Sequence, residues 1–300
     1  MSQGYEALRN GAASWDVSAR GRIVVRGRDR ARLLHNLTSN EVKKMQPGQG
    51  CYAFLLTPQG RIQADITLLC FAEHFLIDTE PELHEKVQQL IRKYIIADQV
   101  ELDDVSAATG SIAVEGPGAA ELFRKIGAPT PEIAYAHQAW GDATVAAVSL
   151  TGQPGFRIYC DASRTVVIAE QIAAAGAVPA AEEDVRTVRI ENGLPRYGED
   201  IRETTLPQET QQMHAVSFTK GCYLGQEIVE RIRAMGHVNK KLVRLRGDGP
   251  LAAGSKLTAN GADAGEITSV AGAAALGYVR ANFSEPGTEL STGSGAVRVA

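Results

Sequence analysis

Two apolar runs, Cys51–Thr57 and Arg61–Phe71, flank the tetrapeptide Thr57-Pro58-Gln59-Gly60, and no other stretch constrains the fold as strongly. Both runs read as strands. Proline at the second turn position and glycine at the fourth suit a type I turn. A turn this short joins antiparallel neighbours, because parallel strands need a crossover of a dozen or more residues. Ile62, Ala64, Ile66 and Leu68 alternate with Arg61, Gln63, Asp65 and Thr67, so one face of the second strand should be apolar and the other polar.

The rest of the chain continues in this style. Arg22–Val25 reads as a strand, and Leu33, Leu34 and Leu37 give Arg28–Leu37 helical spacing. Leu83, Val87, Leu90, Ile91 and Tyr94 form one stripe and predict an amphipathic helix over Pro81–Ile95. Hairpin-linked strands with few helices between them predict an α+β fold, not a doubly wound parallel sheet. Past Lys240 the runs Leu242–Leu245, Glu266–Val270 and Leu276–Val279 are short. They are separated by turn signals at Gly247–Pro250, Asn260-Gly261 and Pro286-Gly287. A small β-barrel or sandwich is therefore expected over 241–300, behind a larger body over 1–240.

Composition excludes several function classes. The 300 residues carry a net charge of -4, which gives no electrostatic footprint for nucleic acid. No apolar run approaches the ~18 residues of a membrane span. The first residues lack the apolar core of a secretory signal, so a cytoplasmic protein is expected. The four cysteines Cys51, Cys70, Cys160 and Cys222 form no CxxC pair, and no HExxH occurs, so no metal site is expected. Cys51, Cys70 and Cys160 sit in apolar runs and read as core. Gly116-Pro117-Gly118 imitates a dinucleotide fingerprint, but Glu121 stands where the third glycine belongs. A tight strand-to-helix turn is the expectation there.

The chemistry-bearing stretch runs from Phe218 to Glu227. Gly221 and Gly225 bracket Cys222, and a short helix is expected over Gln226–Arg233, with Glu227 and Arg231 at ion-pair spacing. Lys220 and the positive end of that helix would both favour a Cys222 thiolate. The alternative is a structural cysteine in a glycine-rich turn.

Lys220-Gly221-Cys222-Tyr223-Leu224-Gly225-Gln226-Glu227 resembles the signature of the YgfZ family. These are folate-binding relatives of the glycine cleavage T-protein, connected with iron–sulfur enzyme maturation. The similarity extends to Arg28–Val42, Gly48–Asp65, Val188–Asp200 and Leu206-Pro207-Gln208-Glu209. It implies a T-protein-like arrangement of three domains: two interleaved α+β units around a folate channel, and a C-terminal barrel. It also implies tetrahydrofolate, or a one-carbon-substituted form, as cofactor, and iron–sulfur enzymes or cluster assembly proteins as partners.

Under this resemblance Glu191 would accept the pterin's adjacent N–H donors, the alternative being a solvated glutamate. Arg231, with Arg233 as a further candidate, would meet the anionic tail, the alternative being a solvated basic patch. Gln226 counts with the folate-binding residues. Tyr197 and Tyr223 would either stack on the rings or serve as core aromatics. Asp65 matches an aspartate important for aminomethyl transfer in T-proteins; as an ordinary polar-face residue it would need no such role. Three functions stay open. One is a tetrahydrofolate-binding protein supporting iron–sulfur enzyme assembly or repair, with Cys222 as functional thiol. Another is a tetrahydrofolate-dependent aminomethyltransferase or other one-carbon transferase using Asp65. The third is a folate-gated adaptor with no turnover.

Overall fold

The Thr57–Gly60 turn closes the expected hairpin in the computed structural model, which describes residues 2–293 and 295–300. Its strands, Gly50–Leu56 and Ile62–Cys70, pair antiparallel with Phe54 opposite Asp65. They continue into a five-stranded antiparallel sheet, followed in space by Phe75–Thr79, Gly21–Arg26 and Glu101–Asp104. Ile62, Ala64, Ile66 and Leu68 all point into one core with Leu34, Val87 and Ile91 of the helices Arg30–Leu37 and His84–Arg92. The second of these helices is shorter than its apolar stripe suggests. Pro81 opens a tight turn over Pro81–Leu83, and the α-helix ends at Arg92.

A second, six-stranded sheet runs Val178–Pro179, Ala13–Asp16, Thr109–Glu115, Gly155–Asp161, Ala143–Ala146 and His137–Trp140. All its pairings are antiparallel except the first. The two sheets are interleaved in sequence. The chain lays down Ala13–Asp16 in the second sheet, builds the first over residues 21–104, and then returns to finish the second. The Gly116 turn joins strand Thr109–Glu115 to helix Ala119–Lys125. Gly116 has φ of +125°, and a Cβ there would sit 2.4 Å from the Gly11 carbonyl oxygen. Close packing on the end of the helix Gln3–Asn10 thus explains the glycine. Cys51, Cys70 and Cys160 are buried and Cys222 is exposed.

Residues Lys240–Val299 supply a closed six-stranded barrel. Asn260 and Gly261 both have positive φ, which suits the tight turn joining Lys256–Ala259 to Ala262–Ala271. The barrel is tied to the body by the buried Asp200. One carboxylate oxygen accepts from the Thr268 and Ser269 hydroxyls at 2.5 and 2.7 Å, and the other from Arg189 at 2.7 Å. Among the described residues no helix is long and apolar enough to cross a membrane.

Among the contacts that join the two sheets is one buried carboxylate, beside an apolar cluster of Val24, Leu69 and Leu76 with Ala146, Val148 and Tyr159. Oδ1 of Asp78, in the first sheet, accepts from Arg20 at 2.6 Å and from Arg157 of the second sheet at 2.8 Å. Asp78 and Arg157 are both fully buried. Burial by itself would raise the Asp78 carboxyl, but Arg157 and Arg20 outweigh it and hold the group below its ordinary value. A lowered folded value means that the ion pair stabilises the protein above the ordinary aspartate value of 3.8 and is lost as pH falls through the folded value. Asp78→Asn leaves Arg157 buried without a counter-charge and should cost about 3–5 kcal/mol in urea unfolding at pH 7. The gap to wild type should narrow as the pH falls below 3.8.

Candidate active site

The polar face of the Ile62–Cys70 strand does not meet solvent. Asp65 and Thr67 are only 9% and 7% exposed, and they turn toward the second sheet. Between the sheets lies a cavity of about 630 Å³ walled by both, by the helix Glu182–Glu191 and by the segments around Pro195 and His214. The alternation that reads as an outer surface is the wall of an interior one.

Asp65 stands out on that wall. Its Oδ2 accepts from the Tyr52 hydroxyl at 2.7 Å, while its Oδ1 is buried with no hydrogen-bond partner. Burial and the nearby Glu80 push its carboxyl up to about 6, against the opposing pull of Tyr52 and Arg20. A carboxyl poised there changes protonation near neutral pH, which suits proton transfer or stabilisation of an adjacent positive charge.

Flat rings stand beside it. Tyr52 stacks on His214, with centroids 5.5 Å apart and planes 26° apart. The Tyr135 hydroxyl lies 3.2 Å from His214 Nε2. Tyr135 has φ of +64°, a costly conformation for a bulky side chain that concentrates at functional sites. Its amide is held by the Ala147 carbonyl at 2.8 Å.

Four arginines also line the cavity, and each already has a carboxylate partner. Arg20 binds Asp78 and Glu80; Arg196 binds Glu80 at 3.0 Å; Arg186 and Arg189 each bind Glu199 at 3.0 Å. Asp65 has no such partner among the described residues.

Of the residues singled out in the sequence, Asp65 alone lines this cavity. Glu191 is displaced from it by helix geometry. Val185, Arg186 and Arg189 turn to the cavity, and a residue two positions past Arg189 points to the opposite side of the helix. There Glu191 binds Arg9 and accepts from the Tyr5 hydroxyl at 3.0 Å. Arg9 balances this carboxylate at the helix end.

Lys220 has its ammonium bonded away from the Cys222 thiol. Its buried ammonium donates to the carbonyls of His35, Thr38 and Asn40 at 2.5, 2.6 and 2.7 Å, at the negative end of the helix Arg30–Leu37. Its charge is committed inward, whereas Cys222 faces outward. Tyr223 is buried beneath Lys220, whose Nζ lies 4.9 Å from the ring centroid. Tyr197 belongs to the same core, with its hydroxyl 3.2 Å from Lys86 Nζ. Gln226 opens the helix Gln226–Met235, and Arg231 is exposed and pairs with Glu227 at 3.0 Å as its spacing predicts. None of these four lines the cavity.

Tyr52, Glu80, Tyr135, His214 and Arg20 were not identified from sequence. For Tyr52 a signal existed: the turn sets the hairpin register, which puts it diagonally beside Asp65.

Comparison with known proteins agrees with this architecture. Residues 1–220 match the GCVT N-terminal domain, and residues 239–300 match the C-terminal β-barrel domain of CAF17. An aminomethyltransferase of Thermoanaerobacter pseudethanolicus is 30% identical over 80% of this chain and 68% of its own. One from Nostoc is 29% identical over 93% of this chain and 78% of its own. A chloroplastic protein of Arabidopsis thaliana, At1g60990, is 27% identical over 97% of this chain and 70% of that protein. The crystal structure of the glycine cleavage system aminomethyltransferase T from Bartonella henselae superposes with a TM-score of 0.89. It shares 22% identity and covers 99% of this chain and 87% of its own.

The raised carboxyl of Asp65 carries a stability cost with a defined sign. Its ordinary value is 3.8 and its folded value about 6, so the folded protein binds the proton more tightly. Stability therefore falls as pH rises through this window, and the cost is complete above it. Asp65→Asn should be more stable than wild type at pH 8 by roughly 1–3 kcal/mol. The difference should shrink toward zero below pH 3.8, as read by chemical denaturation across pH.

Proposed function

The chain belongs to the GCVT N-terminal domain family, and from that premise we propose that it binds tetrahydrofolate, or a one-carbon-substituted form, in the central cavity and supports assembly or repair of iron–sulfur enzymes. The observation that carries the folate reading is the buried, unpartnered Oδ1 of Asp65 beside a wall of flat rings. A pterin is a flat ring system with N–H donors along one edge. Asp65 supplies an acceptor lacking a donor, and Tyr52, His214 and Tyr135 supply aromatic faces. A cavity of about 630 Å³ falls in the size range of small-molecule sites. Because the cavity arginines are already paired, recognition there rests on the ring system more than on the anionic tail.

The iron–sulfur part rests on the YgfZ-like motif Lys220–Glu227, on the matched barrel at 239–300 and on the exposed thiol of Cys222. A second reading, one-carbon transfer, is favoured by the placement of Asp65 and by the relatives named aminomethyltransferases. Tetrahydrofolate, when bound, would carry or accept the one-carbon unit. Asp65 would take up a proton at Oδ1 or stabilise positive charge beside it, and Tyr52 would hold the carboxylate in place through Oδ2.

Calorimetry with 5-formyltetrahydrofolate should give one site per chain, and absence of heat at millimolar ligand would overturn the folate reading. Asp65→Asn should weaken binding about ten- to a hundred-fold, the value of a hydrogen bond to a charged group. Glu191→Gln should leave the affinity within about threefold, or less than ~0.7 kcal/mol. Cys222→Ser should also keep folate affinity within about threefold but fail to restore iron–sulfur enzyme activity in a strain lacking this protein. The transferase reading expects the reverse in a purified aminomethyl-transfer assay: Asp65→Asn abolishes turnover and Cys222→Ser retains it.

A further inference from the structure

We infer that Lys220 is a positioning residue: it latches the cysteine-bearing segment to the segment 35–40 and so presents Cys222 at the surface. This rests on the proposed role of the Cys222 thiol, but the contacts behind it stand by themselves.

Lys220 is 6% exposed. All three of its ammonium donors are satisfied by main-chain carbonyls, those of His35, Thr38 and Asn40. The first two belong to the last turn and the end of the helix Arg30–Leu37, where unpaired carbonyls collect and a cation is favoured. Tyr223 closes the ammonium from another side with its ring face, and Glu41 supports the charge. Burial still pushes the Lys220 ammonium down to about 8, so the position is held against a real desolvation cost.

Two main-chain hydrogen bonds flank the latch. Ser217 donates to the Ser39 carbonyl at 2.9 Å, and Leu224 donates to the Asn36 carbonyl at 3.0 Å. Between them Gly221 and Cys222 are exposed and no hydrogen bond from either is found among the described residues. The loop carrying the thiol is thus tied at both ends and through Lys220, but not at its tip. A lysine fits this place better than arginine, because three carbonyls converge on a compact ammonium and not on a planar fork.

The latch is tested by hydrogen exchange on the whole protein, comparing wild type with Lys220→Met and with Lys220→Gln, which keeps two donors without the charge. In Lys220→Met the Ser217 and Leu224 amides should exchange at least tenfold faster, with Lys220→Gln in between. Amides of the Ile62–Cys70 strand should be unchanged in both. N-ethylmaleimide reports the thiol directly, since the other three cysteines are buried. Its rate at Cys222 should change at least threefold in Lys220→Met while 5-formyltetrahydrofolate affinity stays within threefold. Unchanged protection of Ser217 and Leu224 would overturn the inference, as would an equal acceleration of every amide, which marks general destabilisation. Exchange and alkylation are read on the protein alone. A failure of the iron–sulfur reading in cells would therefore leave this result standing, and the reverse also holds.

Discussion

Asp78 is a buried ionic clamp between the two sheets that wall the cavity, and it works beside the apolar contacts of Val24, Leu69 and Leu76 with Ala146, Val148 and Tyr159. One carboxylate oxygen receives Arg20 from the crossing segment and Arg157 from the second sheet. Arg20 is shared: its Nε faces Asp78 and its Nη1 faces Glu80, a residue of the cavity wall. The neighbouring Arg22, which is fully buried, spends its guanidinium on the carbonyls of Ser18, Arg20, Ser106 and Thr109 and on the Thr109 hydroxyl. It thereby fixes the segment where the chain crosses between sheets. Apolar side chains of similar volume often pack as stably as a buried ion pair. They would not aim Arg20 at Glu80, and that carboxylate would then lose one of its two cationic partners.

That partner matters for Asp65. Two carboxylates near each other in a dry site cannot both ionise freely. Arg20 and Arg196 hold Glu80 ionised, against burial that would raise it. Asp65 is then the group whose proton is retained longest. Its raised value follows from its own burial and from the charge on Glu80, with Tyr52 and Arg20 pulling the other way. A buried carboxylate without a cationic partner, in a cavity whose four arginines are all paired, is an arrangement that costs stability, as functional sites commonly do.

Much of the architecture is legible in the sequence because hairpins and amphipathic stripes are local. The Thr57–Gly60 turn, the alternation in Ile62–Cys70, the Gly116 turn and the C-terminal barrel all follow from residues within a few positions of one another. The site is less legible, for a physical reason. Period-two alternation separates two faces of a strand but does not say whether the polar one meets water or a second sheet. Asp65 and Thr67 look the same in either case. Glu191 and Lys220 fail differently: both have the right chemistry for a ligand or a thiol, but each is claimed by a group remote in sequence. Arg9 takes the first, and the carbonyls at 35, 38 and 40 take the second. His214 and Tyr135 reach the cavity from segments with no periodic pattern, so nothing local marks them.

The segment 35–40 connects the two places where chemistry is proposed. On one side it receives Lys220, Ser217 and Leu224 from the cysteine segment. On the other, Asn40 Nδ2 donates to the carbonyls of Tyr52 and His214 at 2.9 and 2.8 Å, and those two residues carry stacked rings of the cavity wall. Ser39 adds a third strut, accepting from the Phe54 amide and donating to the Ala215 carbonyl. The loop of the surface thiol and the strand that holds Tyr52 against Asp65 are therefore both bonded to the same short stretch of chain. Displacing this stretch would break hydrogen bonds of which those of Ser39, and those of Lys220 to His35 and Thr38, are buried and costly to leave unmade.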